Sequence, residues 1–252
     1  MKIKMGTALI ALATVGFASC GSDANTLAKA DGYCDQVAAL DATVGSGGSP
    51  ADGATAAEIA DFNKTSNKPV LELLNKIVPV APKSAVDGAK KLQTEIGKIV
   101  DSGDASFIND GFDWVAPLAS VQEAAHKGCG YTKVDLTMKD YAYTGVPSTI
   151  KAGRVSFWAK NESTKEFHEM AVVAIPNGNT DAPIDLAKKI ASRELAATPA
   201  ASLFAPSSAS LGTIVDLKPG KYLYFCSIPV GGQDPSKGLH YDKGMVGTFE
   251  VK

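Results

Sequence analysis

Histidine, cysteine and aromatic side chains are scarce in this chain: 252 residues hold 3 His, 4 Cys and 2 Trp, and aromatics make up 7%. Three histidines cannot supply the many imidazoles that a catalytic assembly of several metal centres requires. An excess of charge is missing as well. The 25 Lys and Arg against 27 Asp and Glu leave a formal net charge of −2, too weak a field to attract nucleic acid or anionic lipid headgroups. Partners must therefore be recognised by local patches. Beyond the N-terminal segment no run of about 18 consecutive apolar residues occurs, so nothing later reads as a membrane span. No internal repeat is present.

What is there begins with an export pattern. Lys2 and Lys4 precede the apolar run Met5 to Ala18, and the small residues Ala18 and Ser19 stand before Cys20. This predicts a signal peptide over residues 1–19. Ala18-Ser19-Cys20 resembles the lipobox of bacterial lipoproteins, with Phe17 as a departure where that family usually carries an aliphatic residue. The resemblance implies lipidation of Cys20 and a mature chain held to a bacterial membrane, outside the cytoplasm, through lipid alone.

Setting Cys20 aside leaves Cys34, Cys129 and Cys226, an odd number that cannot all pair. Cys34 and Cys129 stand at the two ends of one compositional block, and export favours their oxidation to a disulfide. Cys226 remains as a lone thiol in an oxidising compartment, a liability that metal coordination would remove.

The length suits two domains, and composition divides the chain near residue 130. Residues 20–130 are rich in Ala, Lys, Asp and Leu, broken by turn clusters at Gly45–Gly53, Pro79–Pro82 and Asp101–Gly103; the pattern predicts a bundle of about four helices. In Ser84–Val100, Val86, Ala89, Leu92, Ile96 and Ile99 recur at helical spacing, with Ser84 as the expected N-cap and Asp87 behind it. Leu71, Leu74, Ile77 and Val78 form a second stripe. Phe107, Phe112, Val115, Leu118 and Val121 form a third despite Pro117, and Leu27 to Val44 completes the set. His126 is expected near a helix C-terminus, where its charge would suit the dipole.

Residues 131–252 change period. Val134–Met138 and Val155–Ala159 alternate, and further strands are read at Glu169–Ile175, Gly212–Leu217, Lys221–Ile228 and Met245–Val251, which together predict a β-sandwich. Asp181 is expected to cap an inserted helix reaching Ala196, with Pro183 in its first turn. The Ala/Ser/Pro stretch Ala196–Ser210 reads as a connecting loop. The fold class is thus α+β multidomain, a helical bundle followed by a sandwich with an inserted helix.

Across the sandwich His168, Cys226, His240 and Met245 appear in order. Two imidazoles, one thiolate and a weak thioether are the donor set of a blue-copper electron-transfer centre, whereas zinc has less use for a thioether. The surrounding words carry a family resemblance. Phe167-His-Glu-Met-Ala-Val-Val173, Pro219-Gly-Lys-Tyr-Leu-Tyr-Phe-Cys226 and His240-Tyr-Asp-Lys-Gly-Met-Val-Gly-Thr-Phe-Glu-Val251 resemble the ligand-bearing segments of the cupredoxins, the plastocyanin and azurin family of Greek-key copper proteins. The resemblance covers the C-terminal half. It implies one copper ion, with His168, Cys226 and His240 as strong equatorial ligands and Met245 as the axial one.

One departure is that thirteen residues separate Cys226 from His240, where that family has only a few. Chain entropy charges about 1.3 kcal/mol for such lengthening, small against the roughly 10 kcal/mol of structural metal coordination. The longer loop is expected to hold its ligand less rigidly, and its Gly231, Gly232, Asp234-Pro235 and Gly238 suit a surface excursion that a partner could recognise. Trp158, Tyr224 and Phe225 are candidates for the apolar surround. The expected function is one-electron transfer to a redox partner protein, not an enzyme activity, with copper storage or delivery, or a metal-free binding module, as the alternative.

Overall fold

The computed structural model describes residues 32–45, 48–109, 111–197, 199–232 and 234–252. The expected signal peptide and the lipidated Cys20 lie outside them. The chain divides into two compact units between Gly130 and Tyr131.

The described part of the first unit is helical, with α1 Tyr33–Gly45, α2 Ala56–Ile77, α3 Val86–Ser102, the short α4 Ser106–Asn109 and α5 Val115–Gly128. Helix α2 opens on a capping box in which Thr55 and Glu58 satisfy each other's free backbone donors. The spacing of Ala89, Leu92, Ile96 and Ile99 puts all four on the buried face of α3. They join a core that includes Tyr33, Val37, Leu40, Leu74, Ile77 and Val121. The Tyr33 hydroxyl donates to the Val121 carbonyl at 2.8 Å, and Gln122 donates to Asp41 at 2.8 Å, so the buried polar groups between α1 and α5 are partnered. The disulfide expected from cysteine counting is present: Cys34 in the first turn of α1 bonds Cys129, the residue that closes α5. Helix α3 stops at Gly103, whose φ of 80° is left-handed; a Cβ there would lie 2.6 Å from the Ala60 carbonyl oxygen.

Two sequence expectations in this unit need correction. Ser84 is not the N-cap of α3; the helix starts behind Ala85, which makes no side-chain cap, because the preceding turn already satisfies the Ala85 and Val86 amides through the Pro82 carbonyl. The stripe from Phe107 to Val121 is two helices rather than one. The chain breaks before Val115, Phe112 is 39% exposed, and Pro117 sits in the first turn of α5, where its missing N–H costs nothing.

The second unit is a two-sheet sandwich. Its strands are β1 Thr132–Lys139, β2 Ala142–Thr144, β3 Thr149–Ile150, β4 Gly153–Asn161, β5 His168–Ala174, β6 Pro199–Ala205, β7 Ser210–Leu217, β8 Gly220–Phe225 and β9 Val246–Val251. One sheet has the order β2-β1-β4-β7, the other β3-β9-β8-β5-β6, and the chain passes between them in Greek-key fashion. Alternation assigns the faces: Val134, Leu136, Val155 and Phe157 of the first sheet meet Met170, Val172, Tyr222 and Phe249 of the second. The opposite face of the second sheet, with Ala171, Val173, Leu223 and Phe225, is covered by helix α6 Pro183–Ala191 through Leu186 and Ala187. Covered on both faces, β5 reads as the continuous run Met-Ala-Val-Val rather than as an alternating one.

The inserted helix is shorter than expected and begins differently. Ala182 is its N-cap and Pro183 its first residue, while the Asp181 carboxylate takes Lys189 at 2.7 Å and Asn179 at 3.1 Å instead of the helix amides. The stretch read as a loop from Ala196 to Ser210 contains β6. Its Ala-rich sequence carries little strand signal, yet it pairs antiparallel with β5, with Leu203 and Ala205 turned into the core. As the sheet's edge strand it tolerates Pro199 at its first position.

Candidate metal centre

Antiparallel pairing brings the four residues singled out in the sequence to one end of the second sheet. Ala171 of β5 pairs with Phe225 of β8, and Phe225 with Val246 of β9, so the start of β5, the end of β8 and the start of β9 coincide. His168 opens β5, Cys226 directly follows β8, and Met245 directly precedes β9. Backbone bonds lock the register: the Cys226 amide donates to the Met245 carbonyl, and the Tyr241 amide to the Cys226 carbonyl.

The thirteen-residue excursion does return its histidine. The loop is pinched at its base, where the His240 amide donates to the Ile228 carbonyl and the Val230 amide to the Gly238 carbonyl, around an antiparallel bridge between Pro229 and Leu239. Folding back on itself, the loop closes on a few residues rather than thirteen. Most of the expected looseness is thereby removed. His240 then begins a short 3₁₀ turn, His240–Lys243.

Three donor atoms converge. His168 Nδ1 lies 3.1 Å from His240 Nδ1, and Cys226 Sγ lies 3.3 Å from His240 Nδ1. The ligand atoms of all three residues fall within 4.8 Å of one another, and each side chain is 0% exposed. Bonds of about 2.0–2.1 Å to nitrogen and 2.3 Å to sulfur would set such atoms roughly 3.4–3.8 Å apart. The two contacts to His240 thus need to open by only a few tenths of an ångström to hold an ion. Met245 is also fully buried, in the same core cluster as Cys226.

The electrostatics are those of a dry pocket. Burial holds His168 down to about 4, with His240 adding to the effect and Glu166 and Asp140 opposing it. His240 is lowered for the same reason, against the charge of Glu166. Both imidazoles are therefore neutral donors at neutral pH, as metal binding requires. Burial pushes the Cys226 thiol up to about 12, although backbone N–H groups of Glu169 and Ile228 favour the thiolate; the Glu169 bond is 3.2 Å long. A lone thiol so placed is inert until a cation replaces its proton.

These shifts predict an acid-sensitive metal-free protein. A histidine whose folded value lies below its ordinary 6.5 costs nothing above that pH. As pH falls from 6.5 towards 4 the unfolded chain takes up a proton that the folded chain refuses, so stability is lost across that window. For His168 the loss is on the order of 3 kcal/mol. Thermal unfolding of the metal-free protein between pH 7 and 4 measures it, and a flat midpoint would contradict the buried neutral pair.

Sequence reasoning missed several contributors. Tyr143 of β2 is partly buried against the core that holds Cys226; its hydroxyl donates to the Glu169 carbonyl, and burial, then the neighbouring Cys226, Glu169 and Tyr224, raise its pKa. Glu169 accepts from Ser202 at 3.1 Å and Ser227 at 2.8 Å, which steadies the strand whose amide faces the sulfur. Asn161 donates to the Glu166 and Ala205 carbonyls at 2.9 Å each and accepts from the Ser163 amide, fixing the loop that leads into His168. Tyr143 and Glu169 act across strands distant in sequence, and Asn161 ties its own following loop to the Ala205 carbonyl of β6, so none of the three is marked by a residue pattern. Of the suggested apolar surround, Tyr224 packs against the core that holds Cys226, whereas Phe225 faces the other side of its sheet against Tyr241, and Trp158 lies over Gly212. His126 sits in the last turn of α5 as expected, 5% exposed.

The second unit is thus a two-sheet sandwich with His, Cys and His gathered at one end in that chain order, the arrangement that the sequence resemblance to the cupredoxins implies. No protein-family model and no curated protein matches the chain. Among solved structures it is similar to the dithionite-reduced auracyanin of the photosynthetic bacterium Roseiflexus castenholzii, with 19% identity over 48% of this chain and 97% of that one, at a TM-score of 0.36. Auracyanin A of Chloroflexus aurantiacus, described as a "blue" copper protein, is 19% identical over 49% of this chain and all of that one, at a TM-score of 0.31. Rusticyanin of Thiobacillus ferrooxidans is 16% identical over 48% of this chain and 78% of that one, at 0.28.

Proposed function

We propose that this protein is a one-electron carrier whose single copper ion is held by His168, Cys226 and His240, with Met245 as the weak axial ligand. The observation that carries the reading is the convergence of two neutral imidazole Nδ1 atoms and one thiol sulfur in a fully buried pocket. Copper in such a mixed nitrogen and sulfur set cycles between Cu(I) and Cu(II). The protein's part is to keep that cycle free of rearrangement. His168 and Cys226 are fixed by paired strands and His240 by its pinched loop. The Glu169 and Ile228 amides stabilise negative charge on the sulfur, and burial keeps water from the donors.

Export and a lipid on Cys20 would place the carrier at the outer face of a bacterial membrane, beside an unidentified redox partner protein. No helix among the described residues is long and apolar enough to cross a membrane; lipid on Cys20 is the proposed means of attachment. With two of the chain's 3 His used at this centre, electron transfer is favoured over catalysis at further copper centres.

The test is a Cu(II) titration followed by visible absorption. One equivalent should produce an intense thiolate band, and His240→Ala should weaken or abolish it. Cu(II) spectra unchanged in His240→Ala would remove His240 from the centre and sink the assignment. Binding of Cu(I) alone, or of neither ion, would favour storage, delivery or a metal-free module over electron transfer.

A further inference from the structure

We propose that Glu166 is the positioning residue of this centre: its carboxylate latches the long ligand loop to the β1–β2 hairpin and holds the His240 ring with Nδ1 turned towards the other donors. The inference rests on the copper reading above.

Three groups from separate parts of the chain meet on this one carboxylate. The Tyr141 hydroxyl, from the β1–β2 turn, donates to Oε1 at 3.1 Å. The Gly231 amide, inside the ligand loop, donates to Oε2 at 3.3 Å. His240 Nε2 lies 3.6 Å from the same Oε2 and has no hydrogen-bond partner, although it is buried. A histidine that offers Nδ1 to a metal must carry its proton on Nε2. That proton then needs an acceptor, since an unsatisfied buried donor costs about 1–3 kcal/mol, and Glu166 stands on that edge of the ring. Because Nδ1 and Nε2 lie on opposite sides of the imidazole, fixing one sets the direction of the other.

The latch is itself anchored. The Glu166 amide donates to Ser163 Oγ at 2.9 Å, and its carbonyl accepts from Asn161, a side chain 1% exposed. Tyr141 closes the ring from the side: its ring centroid is 4.8 Å from that of His240, at 65°. It does so from an uncommon backbone state, because Asp140 and Tyr141 form the two-residue turn between Lys139 and Ala142 with φ of 49° and 65°. Neither is glycine, and such conformations persist where surrounding contacts impose them. The pinch at the loop's base shortens the excursion, and the Glu166 contact adds to it by holding the far side of the loop and the ring edge of a ligand that is 0% exposed.

The experiment compares full-length wild type with Glu166→Ala, Glu166→Gln and Tyr141→Phe, each checked for native fold by circular dichroism. Amide hydrogen exchange at Gly231 in the metal-free protein should accelerate about tenfold or more in Glu166→Ala. Its Cu(II) affinity, read by competition with a chelator, should fall about 10–100-fold, with a shifted visible and paramagnetic resonance spectrum. Glu166→Gln keeps an acceptor oxygen and should recover most of both. Tyr141→Phe, which deletes only the hydroxyl, should move both readouts in the same direction by less. Unchanged affinity, spectrum and Gly231 exchange in Glu166→Ala and Tyr141→Phe, while His240→Ala still loses copper, would overturn the latch and leave the copper centre standing. A wild type that binds no copper would instead overturn the copper reading, and this positioning role with it.

Discussion

Replacing Cys226 by serine is expected to abolish the intense visible absorption of the copper-loaded protein, whereas Met245→Leu should keep the colour and raise the reduction potential. The two sulfurs do different work. A thiolate bound to Cu(II) is the source of the charge-transfer band, and a serine hydroxyl is neither soft nor readily deprotonated. Cys226 already accepts the backbone N–H groups of Glu169 and Ile228, so those donors would face an oxygen that makes a poor copper ligand. Met245 is fully buried among core residues, and a Met to Leu exchange there conserves volume at a cost of less than about 1.5 kcal/mol. The fold therefore survives while a weak donor to Cu(II) is removed, and the balance moves towards Cu(I). Absorption spectra and potentiometric titration of the two variants check both halves. A band that persists in Cys226→Ser would show that this thiol is not the ligand.

A second large effect is expected in the helical unit. Cys34 and Cys129 are separated by 95 positions, and closing so long a loop restricts the unfolded chain by about 4–5 kcal/mol in the chain-entropy account. Domains are typically stable by about 5–15 kcal/mol, so the paired change Cys34→Ala with Cys129→Ala should lower the urea midpoint of the helical signal substantially. Both thiol positions are buried, at 3% and 5% exposure, and alanine in their place adds a small packing loss in the same direction. An unchanged midpoint would mean that α1 and α5 are held by their packing, with Tyr33 on Val121 and Gln122 on Asp41, and that the covalent tie adds little.

Local chemistry decided a great deal about this protein before any folding was considered. The period of Ala89, Leu92, Ile96 and Ile99 already defines the buried face of α3, and the change from spacing of three and four to alternation marks the boundary at Gly130. An odd cysteine count separated Cys226 from the disulfide pair, and two His, one Cys and one Met named a metal by their donor chemistry alone. These are properties of residue type and near spacing, which the chain carries wherever it is. Where neighbouring segments compete for the same backbone groups, sequence was a poorer guide. Ser84 and Asp181 have the right side chains for helix caps, yet the Pro82 carbonyl takes the amides at the start of α3, and Lys189 and Asn179 occupy the Asp181 carboxylate. Strand β6 is invisible in an Ala-rich stretch because its pairing with β5, rather than its own propensity, makes it a strand.

The tertiary structure alone decided whether the metal centre exists as geometry. His168, Cys226 and His240 lie 72 and 14 positions apart from one another in the bonds they make, and only the antiparallel order of β5, β8 and β9, with the ligand loop folded back between β8 and β9, brings them together. The same holds for the groups around them. The Glu169 amide on the sulfur, Tyr143 beside it, and Glu166 with Tyr141 at the outer edge of His240 come from separate turns and strands with no shared motif. A donor set can be read from side-chain chemistry because softness and charge belong to the residue. Distance, burial and the direction of a ring belong to the pairing of distant strands, and they were settled only when the sheets closed over them.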